Sequence, residues 1–148
     1  MASKIHDVVI TNLKVISDER GAVLHMLRCD DSIFNKFGEI YFSIVNHGMV
    51  KAWKKHKKMT QHLAVPKGKI RLVIYDDRPE SESYEKIEIL DIGNDNYCLV
   101  KIPPLVWYGF KGISSESAII ANCTDIPYKP EETIKLDLHT DRIPYNWI

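Results

Sequence analysis

Short apolar runs with a period of two, separated by turn-forming residues, most limit how this chain can fold. In the clearest run, Lys69–Tyr75, the side chains of Ile70, Leu72 and Ile74 fall on one face, as they do in a half-buried strand. Breakers such as the Pro103-Pro104 pair end the runs. No long segment repeats its apolar residues every 3.6 positions, so the pattern predicts β-strands.

The same alternation predicts a series of short strands along the chain. The predicted strands cover residues 8–15, 22–27, 39–45, 49–53, 61–65, 69–75, 84–90, 97–102, 106–110, 117–123 and 133–138. Residues 30–37 are predicted as one short helix. Many short strands with turns between them are typical of an all-β sandwich or barrel. The chain has no Pro-, Gly- or Ser-rich linker, so we expect a single domain over residues 1–148.

Charge and cysteine usage limit the possible partners and the compartment. The formal net charge is +0 and the pI is about 7.0, which argues against nucleic-acid binding. No run approaches the roughly 20 apolar residues of a membrane helix, and no signal peptide opens the chain. The three cysteines, Cys29, Cys98 and Cys123, are odd in number and lack metal-site spacing. We therefore expect free thiols in a reducing, cytoplasmic location.

Five lysines lie close together between residues 51 and 58, with no acidic residue among them. They are Lys51, Lys54, Lys55, Lys57 and Lys58. Lysines on a sheet edge discourage pairing with another chain, whereas lysines around a cavity form an anion-binding rim. The sequence is compatible with both roles.

The spacing from Gly48 to Gly68 is similar to the first cupin motif, G-x5-H-x-H-x4-E-x6-G. Lys54, His56 and Gln61 occupy the ligand positions of that motif. Residues two apart on a strand share a face, so Lys54 and His56 are both expected to point inward. Only His56 is a good metal ligand, and we therefore predict no metal and no cofactor.

A second stretch, residues 102–110, is similar to the motif I-P-x-G-x-x-H-G-F, with Tyr108 at the His position. Further matches in the same order lie at residues 18–21, 49–54, 124–125 and 134–137. Together they resemble the dTDP-4-dehydrorhamnose 3,5-epimerase family of metal-free cupins. The resemblance implies a cupin-type jelly-roll sandwich and a homodimer. It also implies enolate-mediated epimerisation of a nucleotide-linked 4-keto-6-deoxy sugar for a cell-surface polysaccharide such as O-antigen.

The resemblance assigns catalytic roles, with departures from the family pattern. Lys54 occupies the position of the catalytic His, Asp137 that of its carboxylate partner, and Ala121 that of the family's acidic Tyr. Lys54 is the favoured base, but it could instead stay charged and stabilise the enolate while His56 removes the proton. Tyr108 is the candidate acid. The loss of the Tyr at Ala121 favours reaction at one carbon, C3 or C5.

Several further residues are candidates for substrate binding: Arg20, Tyr41, Lys51, Gln61, Arg71, Trp107 and Tyr145. Arg20, Lys51 and Arg71 could pair with a diphosphate, and the resemblance implies that Arg20 reaches into the partner's site. The resemblance also places Gln61 near the position of a family Lys that stabilises the enolate oxygen. The aromatic residues of the set could stack on the base or the sugar.

Two other functions remain open from the sequence. Replacement of the family's His by Lys54 and of its Tyr by Ala121 is what a non-catalytic cupin that binds a nucleotide sugar or carbohydrate would show. A sugar keto-isomerase uses the same fold and the same enolate chemistry. Such enzymes typically carry paired His residues, and this chain has His56 alone at the motif.

Overall fold

The computed structural model describes residues 2–148, and nearly all of its regular structure is β-strand, as the sequence predicts. The strands are β1 (Val9–Asn12), β2 (Val15–Asp18), β3 (Gly21–Leu24), β4 (Glu39–Val45), β5 (Val50–His56), β6 (Gln61–Lys67), β7 (Lys69–Tyr75), β8 (Ile87–Gly93), β9 (Cys98–Ile102), β10 (Trp107–Gly112), β11 (Ala118–Thr124) and β12 (Thr133–Lys135). A single turn of 3₁₀ helix, Pro130–Glu132, precedes β12.

Two five-stranded antiparallel sheets form a sandwich. The first sheet has the strand order β1-β9-β6-β11-β4, and the second has the order β12-β5-β10-β7-β8. The inward side chains of both sheets form one apolar cluster that includes Leu63, Ile70, Leu72, Val100 and Ile120. Burial of these side chains is the main favourable contribution to folding, and the all-β sandwich is confirmed.

A second apolar cluster covers the outer face of the second sheet. Its buried members are Trp53, Val73, Tyr75, Trp107, Ile143 and Trp147. Strands β5, β7 and β10 supply the first four, and the segment after β12 supplies the last two. The second sheet is therefore buried on both faces at its centre, which explains why β7 is apolar at successive positions from Leu72 to Tyr75.

A bulge in β5 decides which of its side chains point inward. Tyr108 pairs with Lys54 and Phe110 pairs with Lys51, and the register shifts between these pairs. Two residues of β5 therefore lie opposite one residue of β10, which is the definition of a β-bulge. Regular alternation would send Lys51 and Lys54 to opposite faces, and the extra residue places both on the inner face.

The predicted helix at residues 30–37 is wrong. The segment forms turns, in which Phe34 N donates to Asp31 O (3.1 Å), and its contacts to other elements replace helical ones. Asn35 Nδ2 donates to Asp125 Oδ2 (2.8 Å), and Ile33 O lies 3.2 Å from His62 Nε2. Ile33, Phe34 and Phe37 have helical spacing, but Phe37 is exposed, so hydrogen bonds of Ile33 and Asn35 to other elements determine the path of the segment.

The β2–β3 hairpin and the outer face of β4 both expose apolar side chains. Strands β2 and β3 form a separate hairpin in which every residue is exposed, including Ile16 and Val23. The outer face of β4 exposes Ile40, Phe42 and Ile44, at 49%, 64% and 58% of their surface. Contiguous apolar surface of this kind marks interaction sites.

The structure also bears on the cysteines and on membrane-spanning helices. Cys29, Cys98 and Cys123 are unpaired thiols in the structure. Among residues 2–148 no helix is long and apolar enough to cross a membrane.

Candidate active site

A cavity of about 100 Å³ lies between the two sheets and is the best candidate for the reaction site. Its lining contains both polar and apolar side chains: Tyr41, Ser43, Lys51, Lys54, Gln61, Leu63, Tyr108, Phe110, Ile120 and Asn122. Five of these, Tyr41, Lys51, Lys54, Gln61 and Tyr108, are residues that the sequence predicts for the site. The structure therefore brings together candidates that are up to 67 residues apart in the chain.

The second sheet supplies one wall of the cavity. Lys54 of β5 and Tyr108 of β10 are register partners on this wall, and Lys51 reaches it because of the β5 bulge. Both lysines line the cavity and keep solvent-accessible surface, whereas Tyr108 is buried. The wall thus carries two lysine side chains near the entrance of the cavity and the buried hydroxyl of Tyr108 further inside.

The surroundings of Lys54 affect its protonation. Partial burial lowers the pKa of its ammonium, and the nearby charges of Lys135 and Lys51 lower the pKa further. Lys135 is its register partner on β12, so like charges meet at this point. A lysine with a lowered pKa has more of the neutral amine that general-base chemistry requires.

Tyr108 remains protonated in its buried position. Burial raises the pKa of its hydroxyl, the nearby Tyr41 raises it further, and a hydrogen bond with the Gln61 side chain only partly opposes these effects. The group is thus a hydrogen-bond donor at neutral pH. A protonated hydroxyl in an apolar site is well suited to stabilising a developing oxyanion.

The first sheet supplies the opposite wall, where Asn122 organises two neighbours. Asn122 Nδ2 donates to Tyr41 Oη (3.0 Å) and to Gln61 Oε1 (2.9 Å). Asn122 and Tyr41 are register partners on β11 and β4. The Asn122 Oδ1 atom is buried and has no hydrogen-bond partner among residues 2–148. An acceptor left open in this way is available to a ligand.

A buried His–carboxylate pair lies behind the Tyr108 wall. His56 Nδ1 donates to Glu132 Oε1 (2.6 Å), and the His56 ring stacks on Tyr108 with centroids 6.0 Å apart. His56 is buried and does not line the cavity. The Nε2 atom has no partner within the described part of the chain. His56 therefore lies one layer away from the cavity and next to the phenol.

Glu132 is the carboxylate that sequence reasoning missed. Its other oxygen accepts from Lys58 N (2.7 Å) and Met59 N (2.8 Å). Burial opposes ionisation, but these bonds and the bond from His56 hold the pKa of Glu132 below its ordinary value. Glu132 is 76 residues from His56, and only the pairing of β12 with β5 brings the two together. No local motif signals this contact.

Asp137 is hydrogen-bonded within the turn that follows β12. Its Oδ1 accepts from His139 N (2.7 Å), and its backbone oxygen accepts from Thr140 N (3.0 Å). It thus stabilises this turn, and among residues 2–148 no hydrogen bond joins it to Lys54 or His56. The chain still pairs with β5 at Leu136, through Leu136 N to Trp53 O and Trp53 N to Leu136 O (3.2 and 3.1 Å), and a role of Asp137 in orienting the base stays a prediction.

Four predicted ligand-binding residues lie outside the cavity. Arg71 Nε and Nη2 donate to Asp91 (2.8 and 2.9 Å), and Trp107 Nε1 donates to Asp77 Oδ2 (2.8 Å). Tyr145 packs edge-on against Trp53 and Trp147. These three lie on the outer face of the second sheet, and Arg20 is paired with Asp18 at the tip of the β2–β3 hairpin.

A family model described as dTDP-4-dehydrorhamnose 3,5-epimerase matches residues 2–148. A curated relative, the probable low-salt glycan biosynthesis epimerase Agl13 of Haloferax volcanii, is 36% identical over 144 residues, which cover 96% of this chain and 89% of the relative. The spore coat polysaccharide biosynthesis protein SpsL of Bacillus subtilis is 28% identical over 97% of this chain and 96% of its own.

One solved structure superposes on nearly the whole chain. It is the dTDP sugar isomerase of Desulfovibrio desulfuricans G20, with a TM-score of 0.97 and 43% sequence identity. The match covers 99% of this chain and 94% of that protein. Both the strand arrangement and the sequence are therefore shared along the chain.

Proposed function

Since this chain belongs to the dTDP-4-dehydrorhamnose 3,5-epimerase family, whose members are sugar-nucleotide epimerases, we propose that it epimerises a dTDP-linked 4-keto-6-deoxy sugar at one carbon, either C3 or C5. The observation that carries the proposal is the cavity itself. It combines Lys54, whose pKa is lowered, with the protonated hydroxyl of Tyr108. Removal of a proton beside a ketone requires such a base and such a donor.

Lys54 is the proposed base. As a neutral amine it takes the proton from the carbon next to the C4 ketone, and the C–H electrons form the enolate. It lines the cavity, whereas His56 is separated from it by Tyr108. This difference in access favours Lys54 over His56. The reason to propose reaction at one carbon is the absence of the family's acidic Tyr at Ala121.

Tyr108 is proposed to donate a hydrogen bond to the enolate oxygen. This role differs from that of the proton-transferring acid, which the sequence predicts for it. It pairs with Lys54 in the same sheet, so both groups approach a bound sugar from one side. Return of a proton from that side would regenerate the starting stereochemistry. The hydroxyl is better placed to stabilise the charge that Lys54 creates.

The cavity is too small to enclose a whole nucleotide sugar, so only part of the sugar is proposed to enter. The nucleotide would then lie at the mouth, where Lys51 is exposed and has no salt-bridge partner among residues 2–148. A lysine ammonium is a suitable point charge for a diphosphate. This arrangement uses Lys51 and not the whole basic cluster to bind the anion, since Lys55 pairs with Asp77 and Lys57 and Lys58 do not line the cavity.

Proton exchange tests the proposed function directly. Incubation with dTDP-4-keto-6-deoxyglucose in D2O should cause enzyme-dependent loss of either the C3 or the C5 proton signal in NMR spectra, with inversion at that carbon. Boiled protein is the control. Inversion at both carbons would contradict the single-carbon proposal.

The same spectra separate the two other functions. Migration of the carbonyl from C4 to C3 would identify a keto-isomerase. Binding of the nucleotide sugar without exchange at either carbon would identify a non-catalytic cupin. Either result would overturn the proposal.

We further propose that the product enters a cell-surface polysaccharide such as an O-antigen. The support is the glycan and spore-coat polysaccharide biosynthesis named for the two curated relatives. Deletion of the gene should remove one 6-deoxy sugar from the surface polysaccharide, as measured by sugar analysis. An unchanged sugar composition would contradict this assignment.

A homodimer is proposed to cover the exposed apolar surfaces. An isolated two-stranded hairpin such as β2–β3 is marginally stable in water, and β4 exposes Phe42 and its neighbours on an edge strand. Packing of the hairpin of one copy against β4 of another would bury both surfaces. It would also carry Arg20, at the hairpin tip, toward the second copy.

Substitution of Phe42 tests the proposed dimer. Phe42→Glu should shift the protein from dimer to monomer in light scattering at equal concentration, because a charge in an apolar interface is strongly unfavourable. Ile89→Glu is the matched control, since Ile89 is 49% exposed on β8, the edge strand of the other sheet. A dimer that survives Phe42→Glu and dissociates with Ile89→Glu would place the interface on β8.

A further inference from the structure

Epimerisation requires a proton donor on the side of the sugar opposite the base. Of the groups discussed so far, Lys54 and Tyr108 belong to the second sheet. The sequence resemblance assigns the family's Tyr position to Ala121, which has no hydroxyl and is the register partner of Phe42 on β4. The donor must therefore come from another residue of the opposite wall.

Tyr41 meets this requirement, because it is the phenol of the opposite wall and a stronger acid than the Ser43 hydroxyl of the same strand. It lies on β4 of the first sheet and lines the same cavity as Lys54, which lies on β5 of the second sheet. Facing sheets of a sandwich are about 10 Å apart, so side chains from both can approach a sugar held between them. Tyr41 and Lys54 would then reach opposite faces of its ring.

The hydrogen-bond partner of Tyr41 leaves its proton available. Asn122 Nδ2 donates to Tyr41 Oη, and an amide N–H can only donate. The hydroxyl hydrogen is thus not used in that bond and can point toward a ligand. Burial raises the pKa of Tyr41, although the bond from Asn122 partly opposes this effect, so the group is protonated before reaction.

We propose that Tyr41 is the catalytic acid of this enzyme and that Asn122 positions it. The inference rests on the proposed function and assigns its second proton transfer. Lys54 removes the C–H proton and becomes an ammonium, leaving the enolate. The enolate carbon then takes the proton of Tyr41 from the other side, so that a new C–H bond forms and the O–H bond breaks. The tyrosinate regains a proton from water, and the ammonium of Lys54 loses one.

The test compares exchange with inversion in Tyr41→Phe. In D2O the ammonium of Lys54 mixes its protons with solvent, so the variant should still replace the substrate proton with deuterium from the original face. Inversion should fall about 10²-fold or more, which is the usual contribution of a positioned acid. Tyr84→Phe, a variant at an exposed tyrosine outside the cavity, should keep the wild-type rates of both reactions.

The possible outcomes separate this assignment from the function on which it rests. Inversion by Tyr41→Phe at the wild-type rate would overturn the role of Tyr41 and leave the epimerase intact. Equal loss of exchange and inversion, with an unchanged melting temperature, would make Tyr41 a binding residue and also overturn the role. A wild-type protein that neither exchanges nor inverts would refute the proposed function, and this assignment with it. Asn122→Ala should reduce inversion more than exchange, and equal reductions would contradict a positioning role.

Discussion

Lys54→Ala should abolish proton exchange at the reacting carbon. Loss of a positioned general base typically lowers a rate by 10²–10⁴-fold, and the cavity lining offers no second amine except Lys51 at its mouth. NMR measurement of deuterium incorporation, under the conditions that test the function, gives the rate. Lys51→Ala is the control, and its main effect should be weaker substrate binding. Full exchange by Lys54→Ala would transfer the role of base to another group.

The pH dependence of the same reaction identifies the base. A neutral amine is the reactive form, so exchange should rise with pH and reach a plateau below the ordinary lysine pKa of about 10.4, because burial and two nearby lysines lower the pKa of Lys54. Lys54→His should restore part of the proton exchange that Lys54→Ala loses. In this variant the rise of the exchange rate should move toward pH 6.5, the ordinary pKa of imidazole. An unchanged pH profile in Lys54→His would exclude Lys54 as the titrating group.

Asp76→Ala should destabilise the fold more than any surface substitution. The side chain of Asp76 is fully buried at the end of β7, where it accepts hydrogen bonds from Arg78 and from the hydroxyls of Ser81 and Ser83. Removal of one member of a buried ion pair costs about 3–5 kcal/mol. The midpoint of thermal unfolding should therefore fall by about 6–20 °C. Differential scanning calorimetry measures this shift.

A matched surface pair provides the control for Asp76. Asp91 accepts two hydrogen bonds from Arg71, but both side chains are more than a third exposed. Exposed ion pairs contribute about 0–1 kcal/mol, so Asp91→Ala should change the midpoint little. Equal decreases in the unfolding midpoint for Asp76→Ala and Asp91→Ala would show that burial does not determine the loss of stability.

Acid should remove the contribution of Asp76. Burial alone would raise its pKa, but the bonds from Arg78, Ser81 and Ser83 outweigh burial and lower the pKa below 3.8. The folded state thus binds this proton less readily than the unfolded state. The stabilisation is complete above the unfolded pKa of about 3.9 and is lost as the pH falls through the lower folded value. The stability difference between wild type and Asp76→Ala should narrow over that acidic range.

Local alternation predicted the fold well because a strand pattern depends only on neighbours in sequence. Strands Glu39–Val45 and Lys69–Tyr75 have the predicted bounds, and the sandwich follows from many such strands. The predicted strand at residues 8–15 instead divides into Val9–Asn12 and Val15–Asp18, which join different partners. Such a division depends on tertiary pairing, which the alternation does not contain.

Alternation shows which residues share a face but not which face meets the cavity. Trp107 and Tyr108 are adjacent on β10, so they point to opposite sides, and both were expected at the site. The structure places Tyr108 inward and Trp107 against Asp77. The pairing of His56 with Glu132 was beyond prediction for a related reason, since it depends on the register of β12 against β5.

The β5 bulge has a consequence for how relatives of this chain diverge. It is an inserted residue that the sheet absorbs, and it places Lys54 on the inner face and Trp53 in the outer cluster. Loss of one residue there would restore simple alternation and exchange the inner and outer sides of half the strand. A one-residue insertion or deletion can thus change which side chain meets a substrate. Alignments of the family should therefore be anchored on strand register and not on residue similarity alone.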